Sequence, residues 1–360
     1  MITVTKPFLP PIEEYEEKIK QIWGNVWLTN DGPYVRELEQ KLVEKLGVPA
    51  LHFVGNGTLA LQLAIKALDL KGEIITTPFS FVATTTAIMW ENCIPVYVDI
   101  CKDSLCIDAN KIEEAITENT VAILATHVYG IPCDVERIEE IAKKHNLKVI
   151  YDAAHAFGVK YKGKSILSYG DISTLSFHAT KLFHTIEGGG IINNIGLEVN
   201  KKIQLLRKFG FEGEDYIHPG INARNTEFHA AMGICNLKYV DKIIEKRKEI
   251  YNQYNLLLTS KIRMNFKLSE VEYNYSYFPV LFKNEDILIK VVNVLKNNKI
   301  EVRRYFYPSL NKLPYLDKKI DCPNAEDISK KILCLPVYNE LSEHDIKHIA
   351  ELINFTIEKE

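Results

Sequence analysis

The chain has 360 residues, 46% hydrophobic and 25% charged, which is enough apolar material for a sizeable core. That length suggests two domains, or one large domain with a smaller one attached. With 44 basic against 47 acidic residues the net charge is −3, which argues against a nucleic-acid partner or an anionic membrane surface.

Residues 10–26 read as a helix, and Trp27 to Pro33 as a turn by its Asn-Asp-Gly-Pro content. Val35 to Leu46 is amphipathic, with Leu38, Leu42 and Leu46 on one face and Gly47 as its stop. A repeating unit follows, in which strands at 50–54, 73–77, 95–99, 120–126 and 147–151 alternate with helices at 59–68, 81–90, 108–116 and 134–145. The strands are nearly all apolar, so they belong to a mostly parallel sheet covered on both faces. A further strand, Ser173 to Phe177, leads into a polar turn carrying Lys181 and then three glycines, Gly188 to Gly190. Beyond it come a helix at 196–209, a loop at 210–226 and a long helical stretch from Glu227 to about Leu258. The remainder reads as a small α+β unit, with strands at 273–282, 300–305 and 328–336 and helices at 285–297 and 343–357.

No apolar run reaches the ~18 residues of a membrane span. Met1 to Pro7 has no apolar signal region, so a cytoplasmic protein is expected. The seven cysteines are scattered without a Cys-x-x-Cys pair, as isolated thiols would be. His344 and His348 share a helix face, but Asp345 stands where a zinc-protease motif has Glu and no third ligand is apparent. No metal is expected.

Ligands of an open parallel sheet bind at the carboxyl ends of its strands. Gly55-Asn56-Gly57-Thr58 is a strand-to-helix turn where free N–H groups favour an anion, or else a simple capped turn. Asp152 ends a buried strand and needs a partner, since a lone buried charge is costly. The partner could be a protonated ring nitrogen; otherwise Asp152 caps the next helix. Lys181 is either a surface amine or, partly desolvated, one that forms a Schiff base with an aldehyde. Phe79 and Phe81 follow another strand end and could stack on a ring. Taken together, a phosphate cradle, an aromatic, an aspartate and a lysine in this order describe a pyridoxal-phosphate site.

The run Thr29-Asn30-Asp31-Gly32-Pro33, Gly57-Thr58, Asp152-Ala153-Ala154-His155-Ala156, Ser176-Phe177 with Lys181, Gly220 to Arg224, and Cys322-Pro323-Asn324-Ala325 resembles the sugar-nucleotide aminotransferases of the DegT/StrS type nearly end to end. The resemblance implies an α/β fold of the aspartate-aminotransferase kind (type I). Its large, mixed but mostly parallel sheet domain would span residues 1–240. A small α+β domain would span 241–360, with the extreme N-terminus packing against it. It also implies pyridoxal 5'-phosphate, with Lys181 as the Schiff-base lysine and Asp152 at the ring nitrogen. His155 would lie near the phenolic oxygen, Phe81 on the ring, and Gly57, Thr58 and Ser176 at the phosphate. Asn222 would reach the phosphate from a second subunit, making a homodimer with shared sites. Thr29, His184, Arg224 and Tyr305 are expected to meet a dTDP-sugar, and L-glutamate to donate the amine. In one branch of the family a histidine replaces the lysine and the enzyme dehydrates; Lys181 favours transamination. Around the lysine, His178-Ala179-Thr180 and Leu182-Phe183-His184 resemble members acting at C4 of the sugar, such as those making dTDP-4-amino-4,6-dideoxyglucose. Amination at C3 and a non-catalytic regulator of the same fold are the alternatives.

Overall fold

The computed structural model describes residues 1–316 and 318–359. Two helices, α1 (Ile12–Asn25) and α2 (Pro33–Leu46), precede the sheet. Then come β1 (Leu51–Val54), α3 (Gly57–Ala67), β2 (Glu73–Thr76), α4 (Val82–Trp90), β3 (Ile94–Tyr97), β4 (Thr120–Thr126), α5 (Val135–His145) and β5 (Lys148–Asp152). Two short strands, β6 (Lys160–Tyr161) and β7 (Lys164–Ser165), are followed by β8 (Ile172–Ser176), β9 (Gly189–Asn193) and α6 (Leu197–Leu206). A small hairpin of β10 (Phe211–Glu212) and β11 (Asp215–Tyr216) leads to α7 (Glu227–Leu237) and α8 (Val240–Leu257). The C-terminal part holds β12 (Val271–Glu272), β13 (Phe278–Leu281), α9 (Glu285–Asn297), α10 (Pro323–Lys331), β14 (Ile332–Leu335) and α11 (Glu343–Glu358).

Seven strands form one sheet in the order β1-β9-β8-β5-β4-β2-β3. β9 runs antiparallel to both β1 and β8, and the other neighbours are parallel. Adjacent residues serve opposite faces, as the pleat requires. Ile74, Ala122, Leu124 and Ile150 pack under α3, α4 and α6. Ile75, Ile123, Ala125 and Tyr151 join Leu38 and Leu42 of α2, Ile138 and Ile141 of α5, and Ala230 and Ile234 of α7. A second core joins Ile250 and Tyr254 of α8 to β13, β14, α9 and α11. The mostly parallel, doubly covered sheet expected from the strand composition is therefore present.

Several local expectations change. Residues 109–115 form two 3-10 turns, not one helix; the stretch is too short to carry the cost of helix nucleation. The long stretch after Glu227 is two helices divided at Lys238 and Tyr239: α7 is buried nearly all round, whereas α8 is amphipathic. Residues 323–331 are helical, with Pro323 in the first turn, so only 332–335 is strand. Residues 300–305 make single bridges, Ile2 with Ile300 and Arg303 with Cys334, in place of a strand.

Long-range bonds tie the early chain to the late. The Glu227 carboxylate accepts the N–H groups of Tyr34 (2.8 Å) and Val35 (2.9 Å), satisfying first-turn donors of α2. The N-terminal arm is held at Ile2, which donates to the Lys299 carbonyl and accepts from Glu301 N–H, and at Val4, which accepts from Val337 N–H.

Two buried histidines predict acid sensitivity. Burial pushes His127 down to about 3; burial, with the Arg207 charge nearby, pushes His52 down to about 4. Unfolded, each binds a proton below about pH 6.5. Their contribution is thus complete above that value and is lost as pH falls toward the folded values. From pH 7 to 5 each should remove on the order of 2 kcal/mol of unfolding free energy. Chemical denaturation at the two pH values checks this, and equal stability at both would contradict it.

Candidate active site

A cavity of about 360 Å³ opens at the carboxyl ends of the central strands. Its floor begins after β1, where the Asn56 side chain caps α3 by accepting the Leu59 N–H (2.9 Å). The Asn56 carbonyl takes the Ala60 N–H, so the first-turn amides of Gly57 and Thr58 remain for a ligand. This floor is tightly built. A Cβ on Gly57 would meet the Ser176 Cβ at 3.0 Å, and one on Gly189 would meet the Asn56 carbonyl oxygen at 2.4 Å. Gly189 therefore serves close approach of β9 to this turn, and the φ angles of Gly188, Gly189 and Gly190 are not positive.

Asp152 ends β5 and is 6% exposed. No helix follows it; one carboxylate oxygen accepts the Ala154 N–H (3.1 Å) and the other the Thr84 hydroxyl (2.7 Å). Burial pushes its carboxyl up, while Thr84, Ala154 and the charge of Lys181 pull it down less strongly. Lys181 lies partly buried on the turn after β8 and donates to the Tyr277 hydroxyl (3.3 Å). Burial holds its amine below the ordinary lysine value. His155 is buried, and its Nδ1 accepts the Tyr129 N–H (3.1 Å), which assigns the remaining proton of the neutral ring to Nε2. Burial, then the Lys181 charge, pushes His155 well below its ordinary value, so the ring is neutral.

Gly57, Thr58, Phe81, Asp152, His155, Ser176, Lys181 and Tyr305 all line this one cavity. Phe81, 51% exposed, stands at its rim. Four residues proposed from the sequence are not on its wall. His184 is 2% exposed; its Nδ1 accepts the Ile186 N–H (3.2 Å) and its Nε2–H donates to the Phe8 carbonyl (2.7 Å). Phe183 stacks on Phe157 (4.7 Å) and draws the turn inward, so His184 ties the N-terminal arm to the lysine turn and is turned away from the cavity. Thr29 and Asn222 are exposed, and Arg224 is half-buried. The segment around Arg224 supports the glycine turn from behind, the Ala223 carbonyl accepting from Gly55 N–H (2.8 Å). Sequence reasoning passed over Ser80, Thr84, Thr126 and Tyr277. The run Thr84-Thr85-Thr86 inside an otherwise apolar helix was the available signal, since hydroxyls buried there need partners. Of the adjacent arginines, Arg303 lines the cavity, whereas Arg304 is engaged by Glu285 (2.7 Å). Among the described residues no group of three His, Cys, Asp or Glu could hold a metal ion.

These walls fit pyridoxal phosphate: free helix-start amides for a phosphate, a buried carboxylate short of a cationic partner, and an amine whose proton is loosely held. Fold and site together define a pyridoxal-phosphate enzyme of the aspartate-aminotransferase (type I) architecture. The model of the DegT/DnrJ/EryC1/StrS aminotransferase family matches residues 11–354, and the chain belongs to that family. It is 44% identical over 360 residues to a dTDP-4-amino-4,6-dideoxy-D-glucose transaminase of Shigella dysenteriae, covering 98% of each chain. Among solved structures, DesI in the presence of its TDP-sugar product matches with a TM-score of 0.93 at 29% identity, over 98% of this chain and 92% of that one. The PLP form of Spr1654 from Streptococcus pneumoniae matches with a TM-score of 0.91 at 26% identity, over 99% of both.

Filling the cradle should weaken the cofactor. Gly57→Val is expected to raise the dissociation constant for pyridoxal phosphate at least ~10-fold, because added methyls displace Ser176 and crowd the helix start. Titration of the apoprotein followed by visible absorbance measures this, and unchanged affinity would argue against the cradle.

Proposed function

We propose that the protein transfers the amino group of L-glutamate to a nucleotide-linked keto-sugar, converting dTDP-4-keto-6-deoxy-D-glucose to dTDP-4-amino-4,6-dideoxy-D-glucose. The observation that carries the reading is the meeting of Lys181, Asp152 and the α3 start in one cavity. The likeness to the Shigella transaminase, nearly end to end, supports the choice of sugar.

Bound pyridoxal phosphate supplies an aldehyde that captures an amine, and a ring that draws electron density from the carbon bearing it. The chain's own residues do the rest. The Gly57 and Thr58 amides and the Ser176 hydroxyl would hold the phosphate. Asp152 would hold a proton on the ring nitrogen, since its burial makes an uncompensated charge there costly. The His155 Nε2–H would be available to the ring oxygen, and Phe81 would cover the ring. With its proton held loosely, Lys181 takes a proton from Cα of glutamate and later delivers one to C4 of the sugar. Arg303, whose guanidinium stands 4.8 Å from the Tyr305 ring, meets the nucleotide diphosphate at the mouth.

In this reading a second subunit completes each site and brings Asn222 to the phosphate. The large domain is residues 1–240 and the small one 241–360, and the protein works in the cytoplasm in O-antigen or related surface-glycan biosynthesis.

Lys181→Ala should abolish the visible band of the loaded protein and lower kcat at least ~10³-fold; normal turnover in that variant would falsify the assignment. NMR of the product should place nitrogen on C4, and nitrogen on C3 would replace the proposed substrate with a dTDP-3-keto-6-deoxyhexose. Arg303→Ala should raise KM for the sugar nucleotide about tenfold, with little change for glutamate; steady-state kinetics in both substrates decides it.

A further inference from the structure

We infer that Thr126, Ser80 and Thr84 form a one-way chain of hydroxyl donors that ends on Asp152 and holds it as a carboxylate aimed into the cavity. This rests on the reading above, in which Asp152 faces a ring nitrogen.

The direction follows from counting protons. An ionised carboxylate only accepts, so the Thr84 hydroxyl spends its single proton on Asp152 Oδ2 (2.7 Å). The Ser80–Thr84 contact (2.7 Å) must then be donated by Ser80. Ser80 has no proton left for Thr126, so the 3.0 Å bond between them is donated by Thr126. Three O–H dipoles thus point the same way, toward the negative charge. All three side chains are buried, where such chains polarise one another and are least screened by water. A protonated Asp152 could itself donate to Thr84 and let the row reverse. The order is therefore specific to the ionised form.

The chain also fixes position. Thr84 comes from α4, Ser80 from the turn after β2, and Thr126 from the end of β4, directly beside Asp152 in the sheet register. With the Ala154 N–H on Oδ1, both carboxylate oxygens are anchored. Thr84 is fully buried and absent from the cavity wall, so it acts only through Asp152. It is a positioning residue. The titratable groups facing the carboxylate are Lys181 on the lysine turn and the Tyr277 hydroxyl ahead of β13. His155, on the same segment as Asp152, lies beside Tyr277 with ring centroids 4.6 Å apart. On β4, His127 turns its ring onto Tyr151 (4.6 Å), and α4 offers only hydroxyls.

The test uses the holoenzyme and its Thr84→Val, Thr84→Ser, Ser80→Ala, Thr126→Val and Thr84→Val/Ser80→Ala variants, with Asp152→Asn as reference. The readouts are the pH titration of the bound cofactor's visible absorbance and the pH profile of kcat/KM. Thr84→Val should move the acid limb of both upward by about one pH unit, and Thr84→Ser should restore it. Ser80→Ala and Thr126→Val should shift it the same way by successively smaller amounts. The double variant should be no worse than Thr84→Val alone, since the outer links act through Thr84. If Thr84→Val does not fold, the graded Ser80→Ala and Thr126→Val shifts carry the test. Shifts that add in the double variant, or no shift in any hydroxyl variant while Asp152→Asn alters the spectrum, overturn the chain. An unaltered spectrum in Asp152→Asn overturns the role of Asp152 itself and the chain with it.

Discussion

A carboxylate buried at the end of a parallel strand has to be compensated. Asp152 meets that demand with one backbone amide, one threonine hydroxyl and the nearby charge of Lys181. The compensation is incomplete, since burial still outweighs those contacts and raises the carboxyl. A site held in that condition has capacity for one more positive partner. The same burial loosens the proton on Lys181 and strips it from His155, while the hydrogen bonds and charge around Asp152 oppose its effect on the carboxylate.

Topology brings these groups together. Parallel strands β2, β4, β5 and β8 end on the same edge of the sheet, so turns distant in sequence converge there. The antiparallel return of β9 then carries the chain back beside β1, and its glycines let it lie against the turn that opens α3. The lysine turn is thereby fastened between two strands of the sheet. Rigid support of this kind keeps reacting atoms in register.

Much of the sheet was legible because its strands are short apolar runs between turn signals, and Ile74, Ile123 and Ile150 sit where that pattern puts them. The cavity residues Gly57, Asp152, Ser176 and Lys181 were legible for a related reason: each lies at or just beyond a strand end. The C-terminal part was harder. Apolar residues at 328–336 serve a helix and then a strand, and a short apolar run does not distinguish the two. His184 read as a ligand contact through the family resemblance of the lysine turn. Only the inward packing of Phe183, a tertiary fact, turns it into a brace for Phe8. Tyr277 gave no local signal, because its place under Lys181 depends on a pairing across 96 residues.

The N-terminal arm carries a consequence for the order in which the molecule is assembled. Ile2, Val4 and Phe8 bond to residues 299–301, Val337 and His184. A chain leaving the ribosome presents this arm well before most of its partners, which lie about 300 residues further on. The sheet can form from contacts made as synthesis proceeds, but the arm has to wait for residues 299–337. The arm's residues are thus placed long after they are made. Their docking onto the lysine turn through Phe8 and His184 joins the finishing of the C-terminal core to the turn that carries Lys181.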